Sequence, residues 1–189
     1  MIEPGTLDRL HDRLVAAADA DGSLDIAYRT LDTPLGALLL AATPAGLVRV
    51  AFANEGHDAV LAGLAARVSP RVLRAPRRLD DVARQLEDYF AHRRHTFDVV
   101  LDLQLARGFR REVLDRLRTI AYGTTASYAA VAAGTGSPRA VRAVGTACAT
   151  NPLPIVIPCH RVVRSDGAIG AYLGGPEAKR TLLDLESAA

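Results

Sequence analysis

The sequence predicts an α/β (α+β) fold in which a small N-terminal sheet domain with helices precedes a mostly helical C-terminal domain. Three β-prone runs with turn signals between them lie in the first third of the chain, at residues 26–30, 37–42 and 47–52. Beyond them, apolar residues recur mainly at helical spacing. A proline-rich run at residues 151–163 interrupts that pattern. We expect the domains to be residues 1–103 and 104–189.

Composition and length are consistent with a soluble globular protein. The chain has 189 residues, 49% of them apolar, which is enough for a core, and no apolar run is long enough to cross a membrane. The first residues lack the basic and apolar regions of a signal peptide. With two cysteines and no such signal, we expect a reducing, cytoplasmic location.

The net charge of +2 conceals an uneven distribution. Residues 107–164 contain nine arginines against two carboxylates, an excess of +7 that leaves −5 for the rest of the chain. Such a basic half is typical of a surface that faces phosphates. The charge distribution alone is equally compatible with an arginine-rich surface that contacts only solvent.

The N-terminal half contains helices beside its strands but no catalytic constellation. An amphipathic helix with Leu7, Leu10, Leu14 and Val15 on one face is predicted at residues 6–20, and we expect it to support the first domain structurally. Two more amphipathic helices are predicted at 60–68 and 79–92, and residues 97–103 alternate as a strand or extended segment. The scattered histidines are expected at surface or capping positions; they are His57, His92 and His95.

The C-terminal half contains a helix-turn-helix pattern. After a predicted helix at 108–120, a short helix begins at Ser127 and Tyr128, and the glycines at 134 and 136 end it. Ser137 as N-cap and Pro138 at the first helical position predict a second helix over residues 139–150. The second helix of this motif normally contacts DNA.

That second helix consists mainly of alanine, valine and glycine. Major-groove readers use long polar side chains aimed at base edges, whereas this helix offers only Arg139, Arg142 and Thr146. Small residues allow close backbone approach with little sequence readout, which fits the minor groove better. Arg142 is then the side chain able to enter the duplex, and the alternative is an arginine that pairs with a neighbouring acid.

The proline-rich run predicts a rigid loop that fixes the position of one thiol, Cys159. A cysteine is a nucleophile as the thiolate, and His160 and Arg161 offer a proton acceptor and a positive charge. Adjacent side chains of an extended chain point to opposite faces, so His160 can flank Cys159 only if the chain bends there. A helix that begins near Cys159 would provide this bend, and a bridging water could connect the two side chains without it.

These residues carry a resemblance to a known family. The run Pro158-Cys159-His160-Arg161, preceded by an Asn-Pro turn and an apolar triplet, resembles the active-site signature of the O6-alkylguanine-DNA alkyltransferases, and the likeness extends from about residue 28 to residue 186. It implies DNA repair by a suicide methyltransferase, in which Cys159 irreversibly takes the alkyl group from a flipped guanine. The catalytic set it implies is Cys159, His160, Glu186, Asn151 and Tyr128.

The resemblance also implies how DNA and the damaged base are bound. It assigns a finger role to Arg142 and DNA contacts to Tyr128, Ser127, Thr146 and Arg139. The pocket residues that it implies are Val162, Tyr172, Leu173, Gly174 and Pro154. It implies double-stranded DNA bound in the minor groove with little sequence specificity, a monomer with which cooperative binding along DNA is compatible, and no cofactor or metal.

Some residues depart from the family pattern, and other functions were weighed. Leu173 and Pro176 leave the range of alkyl groups open, and Cys148 is interpreted as a small hydrophobic residue. A metal set of Cys148, Cys159 and His160 lacks paired ligand spacing. A protein that binds damaged DNA without accepting the group would not need Cys159. A cysteine hydrolase would need a separately placed base and an oxyanion hole.

Overall fold

The computed structural model describes residues 5–187, apart from the side chain of Asp8. Its N-terminal half is built on a four-stranded sheet in the order β3-β2-β1-β4. Strands β1 (Ile26–Thr33), β2 (Gly36–Thr43) and β3 (Gly46–Phe52) form an antiparallel meander, and β4 (Val72–Arg74) pairs parallel to β1. The three predicted strands therefore exist, each slightly longer than its β-prone run.

Three helices accompany the sheet. They are α1 (Thr6–Ala20), α2 (His57–Arg67) and α3 (Asp80–Phe90). Short 3-10 turns at Ala53–Glu55 and Pro76–Leu79 lead into α2 and α3. Helix α3 buries Val82, Leu86 and Tyr89 on one face, as its apolar spacing predicts.

Helix α1 has the predicted bounds, but its leucines do not pack against the sheet. Leu7, Leu10 and Leu14 are 65%, 53% and 53% exposed. The helix instead packs through Val15 and Ala18, whose cluster includes Leu24, Ala27 and Ala75. In the middle of the helix, His11 Nε2 lies 2.6 Å from Arg74 O. These residues, and not the leucine stripe, therefore attach α1 to the N-terminal half.

The segment after α3 runs extended along the start of β3. Leu47 forms a parallel bridge with Leu101, with backbone hydrogen bonds from Leu47 N to Val100 O and from Asp102 N to Leu47 O, both 2.9 Å. A side chain on Gly46 would place its Cβ 2.4 Å from Val100 O, so the close approach requires glycine there.

The C-terminal half contains α4 (Phe109–Leu117), α5 (Tyr128–Gly134), α6 (Val141–Ala149) and α7 (Gly175–Ser187). Two-residue strands β5 (Ala126–Ser127) and β6 (Val162–Val163) pair in parallel beside α5. Helices α5 and α6 pack on each other and on α4. The predicted helix-turn-helix is thus present, with α6 as its second helix.

The predicted start of α6 was wrong. Ser137 and Pro138 lie in a turn closed by a hydrogen bond from Ala140 N to Ser137 O (2.8 Å), and Ala140 is the N-cap residue. The first helical bond runs from Val144 N to Ala140 O (3.0 Å). Ser137 and Pro138 form a turn instead of starting the helix, so Arg139 lies in that exposed turn.

One apolar core continues through both halves. Leu38, Val50 and Phe52 of the sheet belong to the same buried cluster as Val113 of α4 and Val144 of α6. Cys159 is a member of this cluster as well. No helix within residues 5–187 combines the length and apolar character needed to cross a membrane.

The exposure of the α1 leucines predicts how substitutions there affect stability. Leu10→Gln is expected to change the free energy of unfolding by less than about 0.5 kcal/mol, since surface changes rarely exceed that. Leu38→Ala, in the fully buried core, should cost about 2–5 kcal/mol. Chemical denaturation measures both, and a loss above about 1 kcal/mol in Leu10→Gln would mean that this face is packed.

Candidate active site

The loop before Cys159 is tightly folded rather than simply extended. Ile157 N donates to Leu153 O and Cys159 N donates to Ile157 O, both at 2.8 Å. Ile155 has a φ of 74°, a left-handed conformation that a β-branched residue adopts only when its surroundings impose it. Cys159–Arg161 then form a 3-10 turn. The chain therefore bends at the position where a bend is needed for the adjacent side chains of Cys159 and His160 to lie on the same side.

Asn151 connects this loop to the sulfur. Its side-chain amide donates to Ile157 O at 2.9 Å and lies 3.1 Å from Cys159 Sγ, while its side-chain oxygen accepts from Leu153 N at 3.0 Å. Asn151 is fully buried. One side chain thus fixes both the loop and the thiol, and its amide supplies a donor that stabilises a thiolate.

Glu186 is the most connected side chain of the site. It is 3% exposed and accepts hydrogen bonds from Tyr89 Oη (2.7 Å), His160 Nε2 (2.8 Å) and Arg161 Nε and Nη2 (2.8 Å each). Gly123 N adds a fifth at 3.3 Å. Burial alone would raise the pKa of Glu186, but the bonds from His160 and Arg161 outweigh it and hold the pKa well below its usual range.

This carboxylate determines which ring nitrogen of His160 carries the proton. Burial lowers the pKa of His160 against the opposing effect of Glu186, so the imidazole is neutral. Since the carboxylate oxygen can only accept, Nε2 must carry the proton and Nδ1 the free lone pair. Nδ1 is buried without a hydrogen-bonding partner within residues 5–187. The arrangement presents an unprotonated ring nitrogen in the site.

Cys159 itself is 1% exposed. Burial raises the pKa of its thiol to about 11, against the opposing effects of the Asn151 amide and the charge of Lys179. At neutral pH the resting sulfur is therefore protonated. It becomes a nucleophile only when a base takes the proton.

Lys179 is a buried cation that the sequence analysis missed. It is fully buried in α7, donates to Val162 O at 2.5 Å, and lies 5.9 Å from the centre of the Tyr128 ring. Burial lowers its pKa, while the neighbouring thiols raise it. Lys179, Leu182 and Glu186 are spaced i, i+3 and i+7, so the periodicity of α7 could have placed both charged residues on its buried face.

Tyr128 and Val162, two residues implied by the resemblance, both adjoin Lys179. The Val162 carbonyl accepts a hydrogen bond from the lysine ammonium and keeps a second lone pair for another donor. The Tyr128 hydroxyl lies against the glycine-rich loop of residues 164–174, 3.3 Å from where a Cβ on Gly170 would be.

The segment that the resemblance implies as the pocket wall is supported by the N-terminal half. Phe52 packs edge-to-face on Tyr172 with ring centres 5.6 Å apart. A Cβ on Gly174 would lie 2.8 Å from the Phe52 ring, so only glycine fits there. Asn54 donates to Leu173 O at 3.1 Å. These contacts were not foreseen, because no local pattern connects residues more than 100 positions apart.

The opposite side of the loop is attached to strand β3. Val50 N donates to Pro152 O at 2.9 Å, and the Arg49 guanidinium donates to the carbonyls of Asn151 (3.4 Å) and Pro152 (3.3 Å). Arg49 also pairs with Glu55. Pro154 is buried in the same loop. The sheet therefore positions both the cysteine loop and the pocket wall.

The predicted DNA-contacting residues all belong to the helix-turn-helix segment, in β5, α5, α6 and the turn before α6. Arg142 and Thr146 are exposed on α6, and Arg142 forms no ion pair with any residue of 5–187. Ser127 caps α5 by accepting from Ala130 N at 3.1 Å. The alternative of an arginine paired with a neighbouring acid therefore does not hold for Arg142.

No group of three histidine, cysteine, aspartate or glutamate side chains that could hold a metal ion occurs in the described part of the chain. The second cysteine, Cys148, is 6% exposed, and burial raises the pKa of its thiol to about 12. It belongs to the apolar core cluster, where a small hydrophobic side chain fits.

The Glu186 network predicts a pH-dependent contribution to stability. Glu186→Gln leaves Arg161 buried without its carboxylate, so it should cost about 3–5 kcal/mol at neutral pH. Because the folded pKa is depressed, the contribution is present above the unfolded-state value, about 4.3, and is lost as pH falls below it.

Denaturation of both proteins at a series of pH values measures this. The difference between wild type and Glu186→Gln should shrink on acidification below about pH 4. A difference that stays constant down to about pH 3 would contradict the assignment.

Two family sequence models together match nearly the whole chain. Residues 26–103 match the 6-O-methylguanine DNA methyltransferase ribonuclease-like domain, and residues 108–188 match the 6-O-methylguanine DNA methyltransferase DNA binding domain. A methylated-DNA–protein-cysteine methyltransferase of Mycolicibacterium paratuberculosis is 39% identical over 161 residues, covering 85% of this chain and 92% of the relative. The constitutive enzyme of that name from Bacillus subtilis is 38% identical, with 84% and 94% covered.

Solved structures give the same result. The crystal structure of Mycobacterium tuberculosis OGT in complex with DNA aligns with a TM-score of 0.76 at 37% identity, covering 86% of this chain and 93% of that one. An O6-methylguanine-DNA methyltransferase from Pyrococcus kodakaraensis aligns with a TM-score of 0.60 at 26% identity, covering 85% and 98%. The chain belongs to the 6-O-methylguanine DNA methyltransferase family.

Proposed function

We propose that this protein repairs DNA by transferring the alkyl group of O6-alkylguanine to its own Cys159. The observation that carries the proposal is the buried series Cys159, His160 and Glu186, in which a thiol, a neutral imidazole and a carboxylate follow one another beside the helix-turn-helix. The relatives that share most of the chain are methylated-DNA–protein-cysteine methyltransferases, and one related structure is a complex with DNA.

His160 is proposed as the base that activates the sulfur. Its unprotonated Nδ1 takes the thiol proton through a bridging water, and Glu186 stabilises the imidazolium that forms. The Asn151 amide and the Lys179 ammonium then stabilise the thiolate. This division of roles explains how a thiol with a raised pKa reacts at neutral pH.

The chemical step is a single displacement at the alkyl carbon. The S–C bond to Cys159 forms as the C–O6 bond breaks, and the electron pair remains on the purine, which is reprotonated as guanine. Tyr128 is the proposed proton donor to the departing base. Because a thioether is not readily cleaved, each molecule reacts once and acts as a suicide transferase.

The base must leave the duplex to reach the sulfur. Cys159 is almost fully buried, so a nucleobase can contact Sγ only after the side chains over it move. The glycine-rich loop at residues 164–174 is the proposed wall, with Tyr172, Leu173 and Gly174 facing the base opposite Pro154. Val162 O is the proposed acceptor for its exocyclic amine.

The helix-turn-helix is proposed to bind the minor groove of DNA with little sequence specificity. Helix α6 exposes small residues and one long side chain, Arg142, which would fill the gap left by the flipped base. Thr146, Ser127 and Arg139 would contact the backbone. We further propose a cytoplasmic monomer, divided into a supporting domain at residues 1–103 and a reactive domain at 104–189.

Alkyl transfer predicts a permanent change in mass. After incubation with duplex DNA that contains O6-methylguanine, intact-mass and peptide spectra should show one added methyl group on the peptide that carries Cys159. Cys159→Ala should show none, because the acceptor sulfur is gone. Cys148→Ala is the matched control and should still be methylated.

Each other outcome identifies a different function. Binding of the damaged duplex without added mass would indicate a protein that only recognises lesions. Repeated turnover of an ester substrate without a stable adduct would indicate a cysteine hydrolase.

The finger role of Arg142 predicts a dependence on base pairing. Arg142→Ala should slow transfer from a duplex at least about tenfold, because extruding a stacked base costs a few kcal/mol. Transfer from a single-stranded oligonucleotide should change little. Arg139→Ala, in the exposed turn before α6, is the control and should affect both substrates alike. Equal loss on both substrates in Arg142→Ala would contradict the role.

A further inference from the structure

A groove between the N-terminal sheet and the end of α6 is lined by arginines, of which only Arg49 also holds the cysteine loop. One cavity of about 370 Å³ is bordered by Arg49, Arg67 and Arg110 together with Thr150. A second, of about 410 Å³, shares Arg67 and Arg110 with the first and adds Arg107. Since the two cavities share lining residues, they form one continuous depression, called here the basic groove.

Most of the positive charge in the basic groove is not balanced by the protein. Arg49 pairs with Glu55, the only carboxylate lining either cavity. Arg67, Arg107 and Arg110 form no ion pair with any carboxylate in the described part of the chain. Three neighbouring cations repel one another, so a bound polyanion would be favoured and would release counterions.

The basic groove continues the exposed face of α6. Arg142, Thr146 and Thr150 are spaced i, i+4 and i+8, so they lie along one stripe of the helix and its C-cap. Thr150 borders the first cavity, and Arg110 Nη1 lies 3.4 Å from its hydroxyl. At 1.5 Å per residue, Arg142 and Thr150 are about 12 Å apart along the axis.

That distance corresponds to between three and four base steps, since successive steps along DNA are about 3.4 Å apart. A duplex that runs along the axis of α6 from Arg142 would thus place backbone phosphates at the basic groove. A carboxylate-rich peptide would satisfy the same charges. The stripe favours DNA because it links the groove to the finger residue without interruption.

We propose that Arg67, Arg107 and Arg110 bind DNA phosphates three or four base pairs from the flipped nucleotide. Arg67 lies on α2, so the N-terminal domain contacts DNA directly as well as supporting the active site. The inference rests on the proposed function in that the polyanion is DNA. It concerns three arginines that belong neither to the proposed catalytic residues nor to the proposed pocket, although Asn151 and Leu173 also line the first cavity.

The test compares two double variants of equal charge. Arg67→Gln with Arg107→Gln removes two exposed groove cations, and Arg110 is kept because it also bonds Leu105 O. Arg74→Gln with Arg77→Gln is the control, since Arg74 ends β4, the sheet edge opposite β3, and Arg77 lies in the 3-10 turn that follows it. Binding to an undamaged duplex is measured by fluorescence anisotropy from about 50 to 300 mM salt.

The groove variant should lower the slope of log K against log salt by about 0.9 for each lost phosphate contact, about 1.8 in all, and the control variant should retain the wild-type slope. On a duplex truncated two base pairs beyond the Arg142 position, wild type and groove variant should bind alike. Equal slopes for the groove and control variants on the long duplex would overturn the proposal.

Two further measurements separate the remaining explanations. If the groove variant keeps the wild-type DNA slope but loses binding to a polyglutamate peptide, the groove serves an acidic protein instead, and the proposal is wrong. Methylation of Cys159 in wild type on the same lesion-containing duplex is followed by mass. Methylation with unchanged slopes refutes only the groove, whereas no methylation refutes the proposed function itself.

Discussion

A single buried carboxylate holds the reactive site together. Glu186 accepts five hydrogen bonds, from Tyr89 of α3, from Gly123, and from the imidazole and guanidinium that follow Cys159. Without those donors, a charge at this depth would cost several kcal/mol. These hydrogen bonds therefore hold α3, α7 and the 3-10 turn at Cys159–Arg161 together around Glu186. They also determine which nitrogen of His160 is free.

The same burial that protects the sulfur makes it unreactive at rest. Burial raises the pKa of Cys159 while the Asn151 amide and Lys179 partly oppose it. A protein that can react only once benefits from a thiol that stays protonated until a substrate arrives. In the proposed mechanism the neutral imidazole of His160 supplies the base, so that burial protects the sulfur and a different neighbour activates it.

The fold was predicted best where local patterns decide it. The meander, the bounds of α1 and the helix-turn-helix followed from turn signals and apolar spacing. The predicted start of α6 was wrong because Ser137 and Pro138 are equally good turn residues, and the hydrogen bond that Ala140 N donates to Ser137 O closes a turn there. The leucine spacing of α1 correctly indicated an apolar face of the helix. Spacing does not reveal whether another part of the protein covers that face, and here the leucines are exposed.

The sequence by itself predicted a proline-rich loop that presents Cys159, followed by histidine and arginine, directly after a helix pair whose second helix consists mainly of small residues. Only the tertiary structure decided that Glu186 is buried, that Lys179 lies beside Val162 and Tyr128, and that Phe52 and Asn54 contact Tyr172 and Leu173, more than 100 residues further along the chain. The physical reason is the separation along the chain over which each effect acts. Proline, glycine and apolar spacing act through neighbouring residues, whereas burial and charge compensation depend on which distant segments pack together.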